Sequence, residues 1–336
     1  MRGATASTVR CVRLALAFLV ALGAVPGHLG SGDDVRPRDT VSVVDAITPQ
    51  LPDGVSVDIV GGDTFLRVRA AGHSVTVAGY EDEPYLRISR DGLVEENTAS
   101  PTSSINTSRY GGTAQSTAGA PPVWRAVAGD GTVMWHDHRI HWMSPSRPAV
   151  IDPDGTVLKW EVPLVVDGTR HTVRGTLYLR DRASVAWWFL GLAGLAAAAV
   201  LARTHRRRYY AAVLAAGAWS AVTGYLQWVA LPAGARITPL MLVFGAGTAL
   251  TGAAALFAAR RTDLRSDWVA SSLAAGAGAA MLVVTWMSYE QVLSAYVPMA
   301  GPVWTARANV AVLLGFGVVA VIDGVMRVMR VESDAQ

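Results

Sequence analysis

Cysteine is almost absent from this sequence. The only one, Cys11, lies near the start of the chain, just before an apolar run. No disulfide can form within the chain, and no thiolate follows residue 11 to bind a metal or to act as a nucleophile. Because Cys11 precedes the apolar run, we also expect no lipid anchor at this residue. The folded part of the chain must therefore be held together by packing.

Lysine is equally scarce. Lys159 is the only lysine among 29 basic residues, and this usage, with abundant alanine and glycine, is typical of high-GC actinobacterial genomes. Residues 31–183 carry 15 basic and 20 acidic side chains, a balance of −5, although the whole chain has a net charge of +3. Nucleic-acid binding needs a basic patch on the folded domain, and the composition of this segment offers none. We therefore expect no nucleic-acid partner.

Motifs of common enzyme classes are missing from the sequence as well. It has no Gly-x-Ser-x-Gly elbow, no His-Glu-x-x-His helix and no cysteine that could act as a catalytic nucleophile. Nucleotide-binding and phosphorylated-aspartate motifs are also missing, which argues against an ATP-driven pump. We therefore expect a protein that is not an enzyme and has no catalytic residues.

Long apolar runs are what the chain does have. From residue 184 onward they form five groups, each near the roughly 20 residues that a helix needs to cross a bilayer. The five runs are Ser184–Ala202, Tyr209–Leu231, Thr238–Ala259, Trp268–Ser288 and Val303–Met326. They predict an all-α bundle of five transmembrane helices whose partner is the lipid bilayer.

A shorter apolar run near the start of the chain predicts export. Leu14–Val25 follows Arg2, Arg10 and Arg13, which is the pattern of a secretory signal peptide, and we assign residues 1–30 to it. Residues 31–183 then form an extracytoplasmic domain. Residues 184–336 form the five-helix membrane domain, which ends in a short cytoplasmic tail.

The charges of the loops between the apolar runs predict the same orientation. Cytoplasmic loops are enriched in arginine and lysine. The loops expected inside contain Arg203, Arg206, Arg207, Arg208, Arg260, Arg261, Arg265, Arg327 and Arg330. The loops expected outside contain only Arg236 and Arg307. We therefore expect a plasma-membrane protein with an extracytoplasmic N-terminal domain and a cytoplasmic C-terminus.

The exported segment has the pattern of an antiparallel β domain. Apolar and polar residues alternate in short runs that are separated by turn residues. The predicted strands are 55–59, 65–69, 74–78, 85–88, 123–127, 133–142, 157–164 and 172–179. Asp167-Gly168 predicts a tight hairpin between the last two, and residues 98–122 predict a long loop. This spacing favours an all-β antiparallel sandwich of the immunoglobulin-like or cupredoxin-like kind.

The most informative stretch of the sequence is Met134–Met143, which contains three of the seven histidines. On a regular strand His136 and His138 would share one face, and His141 would join them only through a bulge or turn near Arg139. Imidazole suits copper and zinc, and a thioether adds a preference for Cu(I). These residue types therefore predict a metal site formed by His136, His138 and His141.

Copper is the preferred metal and zinc the alternative. Auxiliary residues would be Asp137, which can orient an imidazole, together with Met134, Met143 and Glu83. Two other interpretations remain open. The histidines can belong to a hydrogen-bonded or ionic network beside a core of tryptophan and methionine, or they can sense pH through clustered imidazoles.

Three stretches of the sequence together resemble a known family. They are Gly79–Ile88, Glu96–Asn97 before Ser100-Pro101, and the WHDHRIHWM stretch Trp135–Met143. The chain resembles an actinobacterial family of membrane-anchored extracytoplasmic proteins with a WHDHRxHWM motif, and the resemblance covers about residues 45–180. That family is associated with genes for extracytoplasmic copper handling. The resemblance therefore implies a metal-related role without supplying catalytic residues.

Two functions follow as expectations. The first is an integral membrane protein whose extracytoplasmic domain binds a transition metal for sequestration or for delivery to a partner, such as an extracytoplasmic metal chaperone or a membrane protein. The alternative is a non-metal protein of the cell envelope, in which the domain serves interaction or sensing and the helices recruit partners.

Overall fold

The computed structural model describes residues 35–107, 109–144, 146–236 and 239–334. The predicted signal peptide and Cys11 lie outside the described residues. Within them, strands fill the first half and long helices the second. The strands are β1 (Thr40–Thr48), β2 (Val55–Val60), β3 (Phe65–Ala70), β4 (Val75–Ala78), β5 (Pro84–Ile88), β6 (Val94–Asn97), β7 (Trp124–Ala128), β8 (Thr132–Trp135), β9 (Thr156–Val166) and β10 (Thr169–Leu179). A short helix, α1 (Pro101–Ile105), separates β6 from β7.

These ten strands form two antiparallel sheets. One has seven strands in the order β1-β10-β9-β4-β5-β6-β7, and the other has three in the order β2-β3-β8. Both sheets contribute to a single core, in which Leu66 and Val68 of the small sheet join Val77, Ile88 and Val162 of the large one. Burying each such side chain stabilises the domain by about 1.5–3 kcal/mol. The antiparallel β domain is thus confirmed, while its immunoglobulin-like or cupredoxin-like class stays a prediction.

The β9–β10 hairpin also agrees with the sequence. Its two-residue loop, Asp167-Gly168, has φ angles of +46° and +85°, as the predicted tight turn requires. The prediction for residues 133–142 was wrong in length, because β8 ends at Trp135 and the chain turns immediately afterwards. The early end of β8 matters for function, because it determines where the histidines lie.

The second half of the described chain is helical. A 3₁₀ turn (Val185–Trp188) leads into α2 (Phe189–Thr204), and the remaining helices are α3 (Arg206–Val229), α4 (Leu240–Ala258), α5 (Leu264–Ser288), α6 (Glu290–Leu293) and α7 (Val303–Asp334). Four spans are long and apolar enough to cross a membrane: Val185–Thr204, Leu240–Ala258, Leu264–Ser288 and Val303–Val331. The chain is therefore a membrane protein by the length and composition of these helices. Helix α3, which corresponds to the second predicted span Tyr209–Leu231, has 24 residues but is not among the four.

Glycines allow the backbones of α3 and α4 to approach closely. A Cβ atom on Gly245 of α4 would overlap the backbone nitrogen of Ala221 on α3, and one on Gly217 would overlap that of Ala249. Small residues at such crossings let helix backbones pack by direct van der Waals contact. Close backbone packing at these glycines therefore stabilises the contact between α3 and α4.

Replacing Gly245 by valine should separate α3 from α4. We expect Gly245→Val to lower the thermal stability of the purified protein by the roughly 1–3 kcal/mol that overpacking costs. Gly247→Val is the matched control, because a Cβ on Gly247 of the same helix has no atom within 4 Å. Thermal unfolding in detergent measures both variants, and equal losses of stability would contradict this packing.

The β domain rests directly on one end of the helical part. Arg38 and Tyr296 exchange two backbone hydrogen bonds, of 3.1 and 2.8 Å. Beside them, Val35 and Val60 pack with Leu231 and the neighbouring Ala235 in a small apolar cluster. The domain and the helices therefore form a continuous contact.

The arginines expected on the inside gather at the opposite end of the helices. Arg206, at the start of α3, forms an ion pair with Asp267 near the start of α5. Arg327, near the end of α7, donates to the Ala202 carbonyl at 2.7 Å and pairs with Asp323 four residues earlier. The predicted inner arginines and the β domain thus lie at opposite ends of the helical part.

Candidate metal centre

The turn after β8 is built around the carboxylate of Asp137. Its Oδ1 accepts hydrogen bonds from the backbone N–H of Arg139 at 3.0 Å and from Arg139 Nε at 2.9 Å. Its Oδ2 accepts from Trp135 Nε1 at 2.8 Å. An aspartate that bonds the backbone two residues ahead mimics a backbone turn. The chain therefore reverses at His138 and Arg139, and Ile140 closes the turn by donating to the Asp137 carbonyl at 3.2 Å.

This turn brings the three imidazoles together. The ring centroids of His136 and His141 are 4.2 Å apart. The ring centroid of His138 lies 5.5 Å from that of His136 and 5.2 Å from that of His141. One nitrogen from each ring can be chosen so that all three lie within 4.8 Å of one another. Nitrogens that share a metal at 2.0–2.1 Å in tetrahedral geometry are about 3.4 Å apart. A modest inward movement of the rings would therefore let them share one ion.

The free nitrogens of two rings are buried without partners. His141 Nδ1 lies 3.1 Å from the Trp142 carbonyl, so this nitrogen carries the proton and Nε2 keeps its lone pair. Neither Nε2 of His141 nor either nitrogen of His136 has a hydrogen-bond partner among the described residues. Leaving such a group unsatisfied costs about 1–3 kcal/mol. A metal ion that accepts the lone pair of one nitrogen on each ring would remove part of that cost.

The surroundings also keep these two rings neutral. Burial lowers the pKa of His136 to about 4 and that of His141 to about 3, and the positive charge of Arg109 adds to both shifts. Neutral imidazole is the form that binds metal ions. Near neutral pH the two rings therefore present lone pairs rather than charges.

Tyr80 and Arg139 hold the turn from outside. The Tyr80 hydroxyl accepts a hydrogen bond from the His138 backbone N–H at 2.8 Å and donates to Asn106 Oδ1. Its ring stacks on the His138 ring at a centroid distance of 6.1 Å. Burial raises the pKa of Tyr80 far above its ordinary value, so the hydroxyl keeps its proton. Arg139 adds hydrogen bonds to the carbonyls of Ala78 at 3.2 Å and Gly79 at 3.4 Å.

A buried ion cluster that the sequence did not reveal lies near His136 and His141. Asp63 is fully buried and binds Arg38 at 2.5 Å, Arg109 at 2.8 Å and Thr40 Oγ1 at 2.7 Å. Burial alone would raise the pKa of Asp63, but the two arginines outweigh it and hold the pKa below its ordinary value. Arg109 comes from the predicted loop 98–122, whose length was the one signal that it could be functional.

The residues that the sequence suggested as auxiliary to the metal site do not all lie beside the histidines. Asp137 contacts Trp135 and Arg139 and makes no hydrogen bond to an imidazole among the described residues, so it shapes the turn instead of orienting a ring. Met134 packs in the cluster against the helices, where its methyl lies near Gly234. Met143 stays beside the site, because its Cε and the Cε1 of His138 both lie within 4 Å of the Cβ position of Gly111.

Glu83 lies outside the group of three histidines. Its carboxylate is buried and accepts hydrogen bonds from Ser100 Oγ at 2.5 Å and Thr102 Oγ1 at 2.7 Å. It also accepts one from the backbone of Glu81 at 3.0 Å. Burial favours a raised pKa, but the hydroxyl donors outweigh it and keep the pKa of Glu83 below its ordinary value. Glu83 thus fastens the start of α1 to the β4–β5 turn.

Comparisons with models of protein families, with curated proteins and with solved structures gave no match for this chain. The chemistry of the site therefore has to be read from its own residues.

Proposed function

We propose that this membrane protein binds a transition-metal ion through His136, His138 and His141 and uses it for sequestration or for delivery to a partner. The observation that carries this proposal is the convergence of three ligand nitrogens within 4.8 Å, two of the rings having buried nitrogens without partners. The role is one of binding, without catalysis.

Copper is the ion we propose, with zinc as the alternative. Imidazole nitrogens suit both metals, and a nearby thioether favours Cu(I). The Cε of Met143 and the Cε1 of His138 both lie within 4 Å of the Cβ position of Gly111, so the Met143 thioether is in the neighbourhood of the site.

We further propose that all five long helices cross the plasma membrane and that the β domain faces the outside. Helix α3 packs against α4 through Gly217 and Gly245, which supports a position inside the bundle. The arginines at the end remote from the β domain support a cytoplasmic location of that end. An extracytoplasmic metal chaperone or a membrane protein would then be the partner.

One observation favours a second candidate, a sensing or interaction domain that binds no metal. Arg109 lies close enough to lower the pKa of both His136 and His141, and the same positive charge opposes a bound cation. The direct contact of the domain with the helices, through Arg38 and Tyr296, would then transmit a signal to the membrane.

Metal binding by the full chain tests the proposal. The full chain is needed because Val35 and Val60 pack against Leu231, so an isolated domain would expose this contact. We expect purified protein in detergent, stripped of metal on a chelating resin, to bind one Cu(I), Cu(II) or Zn(II) ion. The affinity should be tighter than about 1 µM, roughly −8 kcal/mol. Competition with chromophoric chelators ranks the three ions.

Two variants make the metal measurement specific. His136→Ala/His138→Ala should lose the binding. His73→Ala should keep it, because His73 lies outside the group and binds Asp167 Oδ2 at 2.7 Å. An affinity weaker than micromolar for all three ions, or equal losses in both variants, would reject the metal proposal in favour of the second candidate.

A further inference from the structure

A large cavity lies between the β domain and the ends of the helices. Its volume is about 690 Å³, and it is partly open to solvent. His136 and Trp142 line it from the β domain, while Trp188 and Tyr289 line it from the helical part. The cavity is thus large enough for a small molecule or the headgroup of a lipid.

The charges of this cavity are unbalanced. Five arginines line it: Arg36, Arg38, Arg109, Arg147 and Arg182. The carboxylates that line it are Asp39 and Glu290, and Asp39 already forms an ion pair with Arg182 at 2.5 Å. Arg36 and Arg147 form no ion pair with any described residue. The wall therefore carries an excess of positive charge.

The side chain of Arg109 is only partly neutralised and only partly hydrogen-bonded. It shares the one carboxylate of Asp63 with Arg38, so the buried group of three keeps a net positive charge. Its Nη1 is buried and has no hydrogen-bond partner among the described residues. Two buried positive charges that share one carboxylate are only partly neutralised, which is costly, and the guanidinium fork matches the oxygens of a phosphate or carboxylate.

The position of the cavity favours phosphate. Trp188 ends the 3₁₀ turn that leads into α2, and Tyr289 follows the end of α5, so both lie at the ends of candidate membrane spans. Tryptophan and tyrosine are enriched at this level of a bilayer, where the headgroups lie. The basic wall is therefore located where phosphate groups are concentrated.

We propose that this cavity binds a phosphate group, held by Arg109, Arg36 and Arg147, which comes either from an anionic lipid headgroup or from free phosphate. His136 lines both this cavity and the proposed metal site. The phosphate proposal does not depend on the metal proposal, because the charge excess exists whether or not the histidines hold an ion.

Binding is measured on the metal-free full chain in a neutral detergent, with metal removed on a chelating resin. The protein is titrated with inorganic phosphate in one arm and with short-chain phosphatidylglycerol in the other, at constant ionic strength. Binding is measured by the shift in melting temperature and by calorimetry. We expect saturation below about 1 mM in at least one arm. Saturation with phosphate alone identifies the free anion, and saturation with the lipid alone identifies the headgroup.

A pair of exposed arginines tests the location of the anion without disturbing the fold. Arg36→Gln/Arg147→Gln should weaken binding at least about tenfold, because charge-assisted hydrogen bonds are lost. Arg90→Gln/Arg170→Gln removes the same charge from arginines that pair with Asp167 and Asp82 outside the cavity, and it should leave binding unchanged. No saturation in either arm, or equal weakening in both double variants, would overturn the proposal.

Discussion

His136→Phe should abolish metal binding while leaving the metal-free protein as stable as before, or more stable by about 1 kcal/mol. Phenylalanine keeps a ring in the buried position, 6.2 Å from the ring of Phe65, and removes two nitrogens that have no partners. We expect the affinity to fall by more than about 100-fold, since even residues behind a ligand account for 10–100-fold. Thermal unfolding with and without metal, together with chelator competition, measures both effects.

His171→Phe is the matched control for this variant. His171 is equally buried, but its Nδ1 lies 2.8 Å from the Pro49 carbonyl, so phenylalanine removes a hydrogen bond there. We expect a loss of about 1 kcal/mol in stability and unchanged metal affinity. If His136→Phe instead lowered the stability of the metal-free protein by as much as His171→Phe does, the histidines would belong to a structural network.

Asp137→Ala should destabilise the β domain by about 3 kcal/mol, because it leaves the largely buried guanidinium of Arg139, which is 17% exposed, without its counter-charge. Asp137 is fully buried and pairs with Arg139 at 2.7 Å. Burial favours a raised pKa for Asp137, but the charge of Arg139 and its hydrogen bonds hold the pKa below its ordinary value. The carboxylate is therefore charged and essential to the turn. Tryptophan fluorescence during thermal unfolding reports the loss, since Trp135 is a direct neighbour.

Asp82→Ala provides the comparison for this variant. Asp82 also pairs with an arginine, Arg170, at 2.9 Å, but both side chains are more than half exposed. Exposed pairs contribute about 0–1 kcal/mol. Losses of similar size in Asp82→Ala and Asp137→Ala would show that the turn does not depend on the buried charge. If Asp137→Ala still folds but no longer binds metal, the result would show that Asp137 positions the histidines in addition to stabilising the domain.

The sequence predicts most of the strands because apolar and polar residues alternate along them. It fails at β1, where a bulge between Val44 and Ala46 breaks the two-residue period. It fails again at β6, which is only four residues long and contains two glutamates. Cross-strand ion pairs join this strand to its neighbours, from Arg87 to Glu95 and from Arg125 to Glu96. Such pairs depend on neighbours that are distant along the chain.

The candidate site was predictable only where it is local. The three histidines lie within six residues, so their chemistry could be recognised from their spacing. The end of β8 could not, because it depends on how the Asp137 side chain folds back on its own backbone. Arg109 is 46 residues from its partner Asp63, and no local pattern links them. Long-range electrostatics of this kind appear only once the fold is known.

The double attachment of the β domain limits how it can move. Only residues 180–184 separate the last strand from the first helical turn, and the backbone bonds between Arg38 and Tyr296 add a second anchor. The reach of a domain on a flexible linker grows with the length of that linker. A domain attached at two places has less freedom to rotate than one on a single flexible linker, so the second attachment restricts where the histidines lie relative to the helices. If the proposed metal delivery takes place, the partner would have to approach the histidines in the orientation that these two attachments favour.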